Sequence, residues 1–328
     1  MPIADYLKIL QQCSGKKIAI IGDLMLDRYV WGNVSRISPE APVPIIDVIR
    51  ETDGLGGASN VANNIKSLGA IPFLLGVIGK DSNGLALKHL LETESFDTSG
   101  IITDPTRPTT VKLRVIAHQQ HVVRIDNEKR DAINSEIEKS ILQILENNIH
   151  SIDGIILEDY NKGVITQNLL QNIIALAVKH NKIVAVDPKS SHFFNYKNVT
   201  LFKPNIKEIE EAFGRKISSN EELIEIGKEL LHKLHAHNIL LTQGEKGMTL
   251  IQSHGGVHHI PTRALHIADV SGAGDTVIAT STVAMTAGAS VLQAAIIANH
   301  AAGVVCGEVG AVPISKQALE NSLQDDSL

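Results

Sequence analysis

The chain has 328 residues, of which 43% are hydrophobic and only 3% aromatic, so its core must be built mainly from aliphatic side chains. A formal net charge of −6, without any run of Lys or Arg, gives no basis for nucleic-acid binding. No apolar run reaches the roughly 18 residues that cross a membrane, and the two cysteines suit a reducing compartment, so we expect a cytoplasmic protein without a membrane contact.

Strand-like apolar runs alternate with helical patterns along most of the chain. The first run, Lys17–Gly22, is followed by a helical pattern over Ala58–Leu68 and a second run over Ile71–Ile78. The later predicted elements are helices Ser82–Glu92 and Asn134–Ile149, strand Gly154–Leu157, helix Gln167–His180, strand Ile183–Asp187, helices Ile206–Phe213 and Glu221–His235, strand Asn238–Thr242, a hairpin through Met248–Ile260, and helices Ala273–Thr286 and Val291–Cys306. This alternation predicts an α/β fold with a mainly parallel sheet covered on both faces.

Two segments break this alternation. Trp31–Glu51 is rich in proline and β-forming residues, and Thr109–Asp126 alternates as a hairpin does. We expect residues 31–51 and 109–126 to form a small antiparallel sheet that stands off the main domain as a lid, with surface excursions of no function as the alternative. Because we find no internal repeat or low-complexity linker, we predict a single domain over residues 1–328.

Polar residues and glycines follow the first strand and open the first long helix. Asp23 and Asp27 come after the strand, and Gly56, Gly57 and Asn60 lie at the start of the helix. Because the carboxyl ends of parallel strands meet at one edge of a sheet, we expect these groups to converge on one crevice. Carboxylate and amide side chains there can bond adjacent hydroxyl groups, which predicts a polyol site. The alternative is that the paired glycines only form a tight turn.

Several cations are placed to meet an anionic substrate. Lys162 and Lys189 follow two neighbouring strands of the predicted sheet, where a substrate would lie, although a solvated lysine is the commoner case. Arg114, on the predicted hairpin, has the bidentate geometry that suits a phosphate. Further along, Asn205 has the right side chain to cap a helix, and Glu208 is suited to hold Mg²⁺ through water.

The segment Asp269–Thr276 reads Asp-Val-Ser-Gly-Ala-Gly-Asp-Thr and places a glycine-rich turn directly before a long helix. Amides at a helix N-terminus favour an anion, and glycine or alanine lets a phosphate approach the backbone closely. Asp275 is poorly placed to bind phosphate but well placed to take a proton from the hydroxyl that attacks it. This combination predicts phosphoryl transfer. No G-x-G-x-x-G or correctly spaced Walker loop is present, so any nucleotide must use another scaffold.

With the Gly56–Asn60 and Asp269–Thr276 motifs, the chain resembles the ribokinase-like (PfkB) family of carbohydrate kinases over nearly its whole length. The resemblance implies a three-layer α/β/α sandwich with a β-lid, a requirement for ATP and Mg²⁺, and Asp275 as the catalytic base. It also implies an anion hole made by Gly272, Ala273 and Gly274, and sugar-hydroxyl binding by Asp27, Gly56, Gly57 and Asn60.

The same resemblance assigns the nucleotide side of the site. The implied ATP-binding residues are Asn205, Ile206, Lys207, Glu208, Thr242, Gly244 and Gly247, with Asn299 near the nucleotide base. Asp269 and Ser271 lie where some members of the family bind a monovalent cation such as K⁺. Glu208 remains the residue expected to hold Mg²⁺.

Within the family, the chain is most similar to the subgroup that phosphorylates D-glycero-β-D-manno-heptose 7-phosphate at its anomeric hydroxyl in the synthesis of ADP-heptose for lipopolysaccharide. The stretches that carry this similarity are Gly22–Tyr29, Arg36–Pro44, Asp159–Gly163 and Asp187–Lys189. Bifunctional members of that subgroup continue into a nucleotidyltransferase domain, which we expect this chain, ending at Leu328, to lack.

Two alternatives remain open. One is a kinase of the same family for another sugar or sugar phosphate, such as ribose, fructose or a fructose phosphate. The other is a catalytically silent sensor of a sugar or nucleotide. In each case we expect a homodimer formed through the lid, because an exposed apolar sheet face often pairs with its copy.

Overall fold

The computed structural model describes residues 2–117, 120–264, 268–308 and 310–325. Its helices are α1 (Ile3–Gln12), α2 (Ala58–Ser67), α3 (Ser82–Thr93), α4 (Ser135–Asn148), α5 (Gln167–Lys179), α6 (Ile206–Phe213), α7 (Asn220–Leu234), α8 (Ala273–Thr286), α9 (Val291–Val305) and α10 (Lys316–Asp325). Its strands are β1 (Lys17–Gly22), β2 (Leu24–Ile37), β3 (Pro44–Gly57), β4 (Ile71–Gly79), β5 (Ile101–Asp104), β6 (Thr110–Ala117), β7 (Gln120–Asn127), β8 (Gly154–Glu158), β9 (Ile183–Asp187), β10 (Leu201–Phe202), β11 (Asn238–Thr242), β12 (Met248–Gln252) and β13 (Val257–Ile260).

The main sheet has nine strands in the order β13-β12-β11-β10-β9-β8-β1-β4-β5. All neighbours from β11 to β5 run parallel, and the hairpin of β12 and β13 adds an antiparallel edge. The predicted mainly parallel sheet is therefore confirmed. The short strands β5 and β10 and the terminal helices α1 and α10 are additions that the sequence patterns did not predict.

Alternate residues of the central strands enter two separate cores. In β1, Ile18 and Ile20 pack in the core that contains α2, α8 and α9, whereas Ala19 and Ile21 pack in the core that contains α4, α5 and α7. Because both faces are covered, these strands are continuous apolar runs rather than alternating patterns. The three-layer sandwich is confirmed.

The lid is a separate four-stranded sheet in the order β3-β2-β6-β7. It consists of two antiparallel pairs, as predicted, but their inner strands β2 and β6 run parallel to each other. Strand β2 begins at Leu24 and β3 ends at Gly57, so the lid strands are longer than residues 31–51 and include Asp27 and Gly56. Residues 118 and 119, within the predicted hairpin, lie outside the described residues.

Within the described ranges, no helix combines enough length with enough apolar character to cross a membrane. The count of one domain over residues 1–328 stays a prediction.

Candidate active site

The glycine-rich turn and Asp275 meet at the start of α8. Gly272 is the residue before the helix and has φ +79°, a left-handed conformation that favours glycine. A Cβ atom at Gly272 would lie 2.9 Å from the Asn60 side-chain nitrogen, so this position also needs glycine for space. Asp275 lies in the first turn of α8, at the end of the helix that attracts anions.

The backbone amides of this turn are largely available. Within the described part of the chain, the amides of Gly272, Gly274 and Asp275 have no hydrogen-bond acceptor, whereas that of Ala273 donates to the Val270 carbonyl at 3.3 Å. Free amides at a helix N-terminus can bind an anion such as a transferring phosphoryl group. This geometry supports Gly272 and Gly274 as parts of an anion hole more strongly than Ala273.

The Asp275 carboxylate is buried and held by two hydrogen bonds. Its Oδ2 accepts from Asn60 Nδ2 at 2.7 Å, and its Oδ1 accepts from the Tyr160 hydroxyl at 2.7 Å. Burial raises the pKa of Asp275 to about 6, although the hydrogen bonds from Asn60 and Tyr160 act to lower it. The group is therefore mostly ionised at neutral pH yet basic enough to accept a proton from a hydroxyl.

Three buried carboxylates lie at this end of the sheet. Glu158 ends β8 and Asp187 ends β9, and with Asp275 they offer oxygen atoms that all lie within 4.8 Å of one another. Lys203 forms an ion pair with Asp187 at 2.8 Å, but Glu158 Oε2 has no hydrogen-bond partner among the described residues. Burial, followed by the charges of Asp187 and Asp275, raises the pKa of Glu158 well above its usual range. A set of oxygen ligands with one unsatisfied oxygen fits a hard divalent cation.

The predicted sugar-binding residues come together beside Asp275. Asp27 lies on β2 of the lid and Asn60 on α2, and the Asn60 Oδ1 atom is buried without a hydrogen-bond partner in the described ranges. A Cβ atom at Gly56 would lie 2.8 Å from Asp27 Cγ, and one at Gly57 would lie 2.4 Å from the Asp23 carbonyl oxygen. Both glycines therefore let the lid strand pass close to the site. The structure brings the four predicted residues to one place, and their roles stay predictions.

Asp23 has a different role from the one we expected. Its carboxylate accepts hydrogen bonds from the backbone amides of Tyr160, Lys162 and Val164, at 2.8, 3.1 and 3.2 Å. Asp23 therefore shapes the loop after β8, which positions Tyr160, and does not offer its oxygens to a hydroxyl group. The sequence shows a carboxylate after a strand in either case, so it could not separate these roles.

The three predicted phosphate-binding cations each have a carboxylate partner. Their ion pairs join Arg114 to Asp27 at 3.0 Å, Lys162 to Glu128 at 2.6 Å, and Lys189 to Glu208. All three lie at or near the crevice, but none is an uncompensated charge.

Besides Glu158 and Asp187, sequence reasoning missed two further residues of the site. The first is Tyr160, whose hydroxyl contacts Asp275. The second is Lys112 of β6, whose Nζ lies 4.7 Å from the centroid of the Tyr160 ring. The available signal for Lys112 was the alternation of the hairpin, which puts it on the same face as Arg114 two residues later.

On the nucleotide side, Asn205 caps α6 as predicted. Its Oδ1 accepts from the Glu208 amide and Glu208 Oε2 accepts from the Asn205 amide, both at 2.9 Å. The Thr242 amide donates to the Pro204 carbonyl at 3.0 Å, which brings Thr242 beside Asn205. Because both Glu208 oxygens are engaged, one by Asn205 and one by Lys189, a metal contact of Glu208 through water stays a prediction.

Of the remaining predicted residues, Asn299 lies within α9, and the others lie in the turn after β11 or at the start of α6. Gly244 and Gly247 adopt positive φ angles of +61° and +81° in the turn after β11. Asn299 donates from Nδ2 to the Pro261 carbonyl at 2.7 Å. Ile206 and Lys207 begin α6. Their contacts with a nucleotide stay predictions.

The predicted monovalent-cation residues form a tight turn. Asp269 Oδ1 accepts from the Ser271 amide at 2.9 Å, and Asp269 Oδ2 accepts from the Gly310 amide at 3.1 Å. Burial opposes ionisation of Asp269, but these backbone hydrogen bonds outweigh it and lower its pKa. The carboxylate is thus ionised, and a cation contact there stays a prediction.

Comparisons with known proteins agree with this geometry. Residues 15–318 match the pfkB family carbohydrate kinase. The chain is 43% identical over 304 residues to the bifunctional protein HldE of Helicobacter pylori (strain J99) and 43% identical over 304 residues to HldE of Geobacter sulfurreducens. These matches cover 93% of this chain but only 65% and 62% of the relatives' own lengths.

The fold is similar to that of solved kinases. Escherichia coli phosphofructokinase-2 in complex with potassium gives a TM-score of 0.78 at 18% identity, over 96% of this chain and 100% of that one. Arabidopsis thaliana ribokinase complexed with ribose and ATP gives a TM-score of 0.75 at 18% identity, over 95% of this chain and 99% of that one. From the family match over residues 15–318 and the similarity to the HldE proteins, we conclude that the chain belongs to the pfkB family of carbohydrate kinases and is an ATP-dependent sugar kinase.

Proposed function

We propose that this kinase transfers the γ-phosphoryl group of ATP to the anomeric hydroxyl of D-glycero-β-D-manno-heptose 7-phosphate, giving heptose 1,7-bisphosphate. The observation that carries the reaction type is the buried Asp275 carboxylate beside free amides of the α8 N-terminus. The choice of sugar rests on similarity to proteins named HldE over 93% of the chain and on the stretches Arg36–Pro44 and Asp159–Gly163.

In this mechanism Asp275 takes the proton of the attacking hydroxyl. Asn60 Nδ2 and the Tyr160 hydroxyl hold the carboxylate in place, one on each oxygen, so that a lone pair can face the acceptor. The amides of Gly272 and Gly274 stabilise charge on the transferring group. Asp27 and the unpartnered Asn60 Oδ1 orient neighbouring hydroxyls of the sugar.

Glu158 and Asp187 would hold the divalent cation, which we take to be Mg²⁺, with Glu208 contributing through water. When bound, that cation supplies positive charge to the phosphate oxygens of ATP. Closure of the lid over the acceptor would exclude water and limit hydrolysis of ATP. Asp269 and Ser271 are the residues we propose for a K⁺ site, which a K⁺ titration of activity would test.

We also propose that two copies associate through their lids. The lid strands carry large apolar side chains that are exposed in the described structure, among them Ile37, Val48, Ile49, Val123 and Ile125. An exposed apolar sheet of this kind favours pairing with a second copy. The two buried free cysteines and the use of ATP support a cytoplasmic location.

The substrate is tested by a coupled ADP-release assay over heptose 7-phosphate, ribose, fructose and fructose phosphates. We expect the heptose phosphate to exceed every other acceptor in kcat/KM by at least about tenfold, and NMR of the product to show the new phosphate at C1. A higher kcat/KM for another sugar would replace the proposed substrate, but the protein would remain a sugar kinase. Acceptor binding without turnover would favour the sensor, against which the intact Asp275 site argues.

A further inference from the structure

Lys112 is a largely buried cation that lacks a counter-charge. It lies on β6 of the lid with its Nζ 4.7 Å from the centroid of the Tyr160 ring. Burial lowers its pKa, Asp27 opposes that shift, and the nearby charges of Arg114 and Lys162 add to it. Across the described ranges of the chain, no carboxylate forms an ion pair with Lys112.

Lys112 differs in this respect from the other cations of the crevice. The four others are each paired with a carboxylate: Arg114 with Asp27, Lys162 with Glu128, Lys189 with Glu208, and Lys203 with Asp187. The carboxylates of Glu158 and Asp275 also lie in this region, but within the described residues neither forms an ion pair with Lys112. Lys112 is therefore the member of these five cations that has no carboxylate partner in the described part of the chain.

The neighbours of Lys112 in the lid do not neutralise it. In the sheet register Lys112 stands opposite Asp27 of β2 and Asp126 of β7, on the same face of the lid. Asp27 pairs with Arg114 instead, and Asp126 pairs with Arg124 at 2.9 Å. A charge that is removed from water and left unpaired is unfavourable unless a ligand compensates it.

The position of Lys112 relative to Asp275 indicates which part of a substrate Lys112 could bind. The Tyr160 ring contacts Lys112, and the Tyr160 hydroxyl donates to Asp275, so one aromatic side chain separates the cation from the base. We propose that Lys112 holds the remote phosphate of the acceptor and thereby selects sugar phosphates over free sugars. This inference rests on the proposed function, in which the reacting hydroxyl and the phosphate stand at opposite ends of one sugar.

The test compares Lys112→Met with the wild type on two acceptors, heptose 7-phosphate and the same heptose without its phosphate. We expect the variant to raise KM for the phosphorylated acceptor at least about tenfold, while KM for ATP and kcat/KM for the free heptose stay within about threefold. Lys112→Arg should restore most of the loss, because a guanidinium also binds phosphate. Lys139→Met, an exposed lysine on α4, is the matched control and should change none of these values.

The outcomes separate this inference from the proposed function. If the wild type prefers the phosphorylated heptose and Lys112→Met keeps that preference in full, the assignment of Lys112 is wrong while the proposed function stands. If the variant instead raises KM for ATP, Lys112 serves the nucleotide and the inference is also wrong. If the wild type prefers free sugars, the proposed function fails, and the assignment of Lys112 fails with it.

Discussion

The main sheet and the lid sheet of this kinase use their side chains in opposite ways. The central strands of the main sheet are covered on both faces, so that residues such as Ile20 and Ile156 have no exposed surface. The lid strands direct charged residues such as Asp27 and Lys112 at the crevice and leave apolar residues such as Ile49 exposed. In the proposed function, the main sheet and α8 position the base and the phosphate-binding turn, and the lid supplies contacts to the acceptor.

The largest predicted effect on activity should come from a change at Asp275, the proposed base, which is positioned by the main sheet. Asp275→Asn should lower kcat by at least about 10³-fold, because the side chain can no longer take the proton of the acceptor. The affinity for ATP, measured by calorimetry, should stay within a few fold. A kcat within about tenfold of the wild-type value would show that Asp275 is not the catalytic base.

The same variant has a predicted effect on stability. Burial raises the pKa of Asp275 in the folded state above its unfolded value, so the folded state loses stability as pH rises through about 6. Removing the charge should therefore leave Tm at pH 8 equal to or higher than that of the wild type. A marked fall in Tm would show that the lost activity reflects misfolding.

The proposed phosphate-binding turn at the start of α8 is tested by a pair of glycine variants. Gly272 and Gly214 both have positive φ angles, +79° and +65°, but only a Cβ atom at Gly272 would approach another group, the Asn60 nitrogen that holds Asp275. Gly272→Ala should lower kcat by about 10²-fold through loss of this positioning. Gly214→Ala carries the same backbone strain and should lower stability by about 1 kcal/mol without loss of kcat. Equal kcat losses in both variants would contradict this account.

Core and lid isoleucines should differ in stability. Ile156→Ala, within β8, should lower the free energy of unfolding by about 2–5 kcal/mol, measured by chemical denaturation. Ile49→Ser should change it by no more than about 0.5 kcal/mol in the monomer, since Ile49 is 69% exposed. By light scattering, however, Ile49→Ser should shift the protein from dimer toward monomer. An unchanged dimer would place the interface elsewhere.

The comparison also shows what the sequence could predict. Apolar runs such as Lys17–Gly22 and Ile183–Asp187 coincide with β1 and β9, because a strand covered on both faces has a strong compositional signal. The parallel pairing of β2 with β6 joins segments distant in sequence, and no local pattern predicts such a pair. Likewise, the extension of β2 back to Leu24 depends on its partners rather than on its own composition.

The residues of the site also divide into those that the sequence predicted and those that it did not. Asp275, Gly272 and Asn60 were predicted because they lie in short motifs whose local geometry determines their chemistry. The roles of Tyr160, Lys112 and Asp23 depend on contacts between distant segments, and the sequence around each is compatible with a surface role. Lys112 differs from the predicted cations Arg114, Lys162 and Lys189 in having no carboxylate partner among the described residues, which only the folded structure shows.

The central claim, that Asp275 is the base, is tested most directly by the pH profile of kcat/KM in the wild type and in Tyr160→Phe. The wild type should lose activity as pH falls through about 6, where Asp275 becomes protonated. Burial also raises the pKa of Asp23 to about 6, but Asp23 bonds the Tyr160 backbone amide, which phenylalanine keeps.

Among the residues that the structure describes, only Asp275 accepts a hydrogen bond from the Tyr160 hydroxyl, and this bond lowers the Asp275 pKa. We therefore expect the acid limb of Tyr160→Phe to move to higher pH. An acid limb that stays at the wild-type pH would show that another group controls the reaction and would contradict the assignment of Asp275.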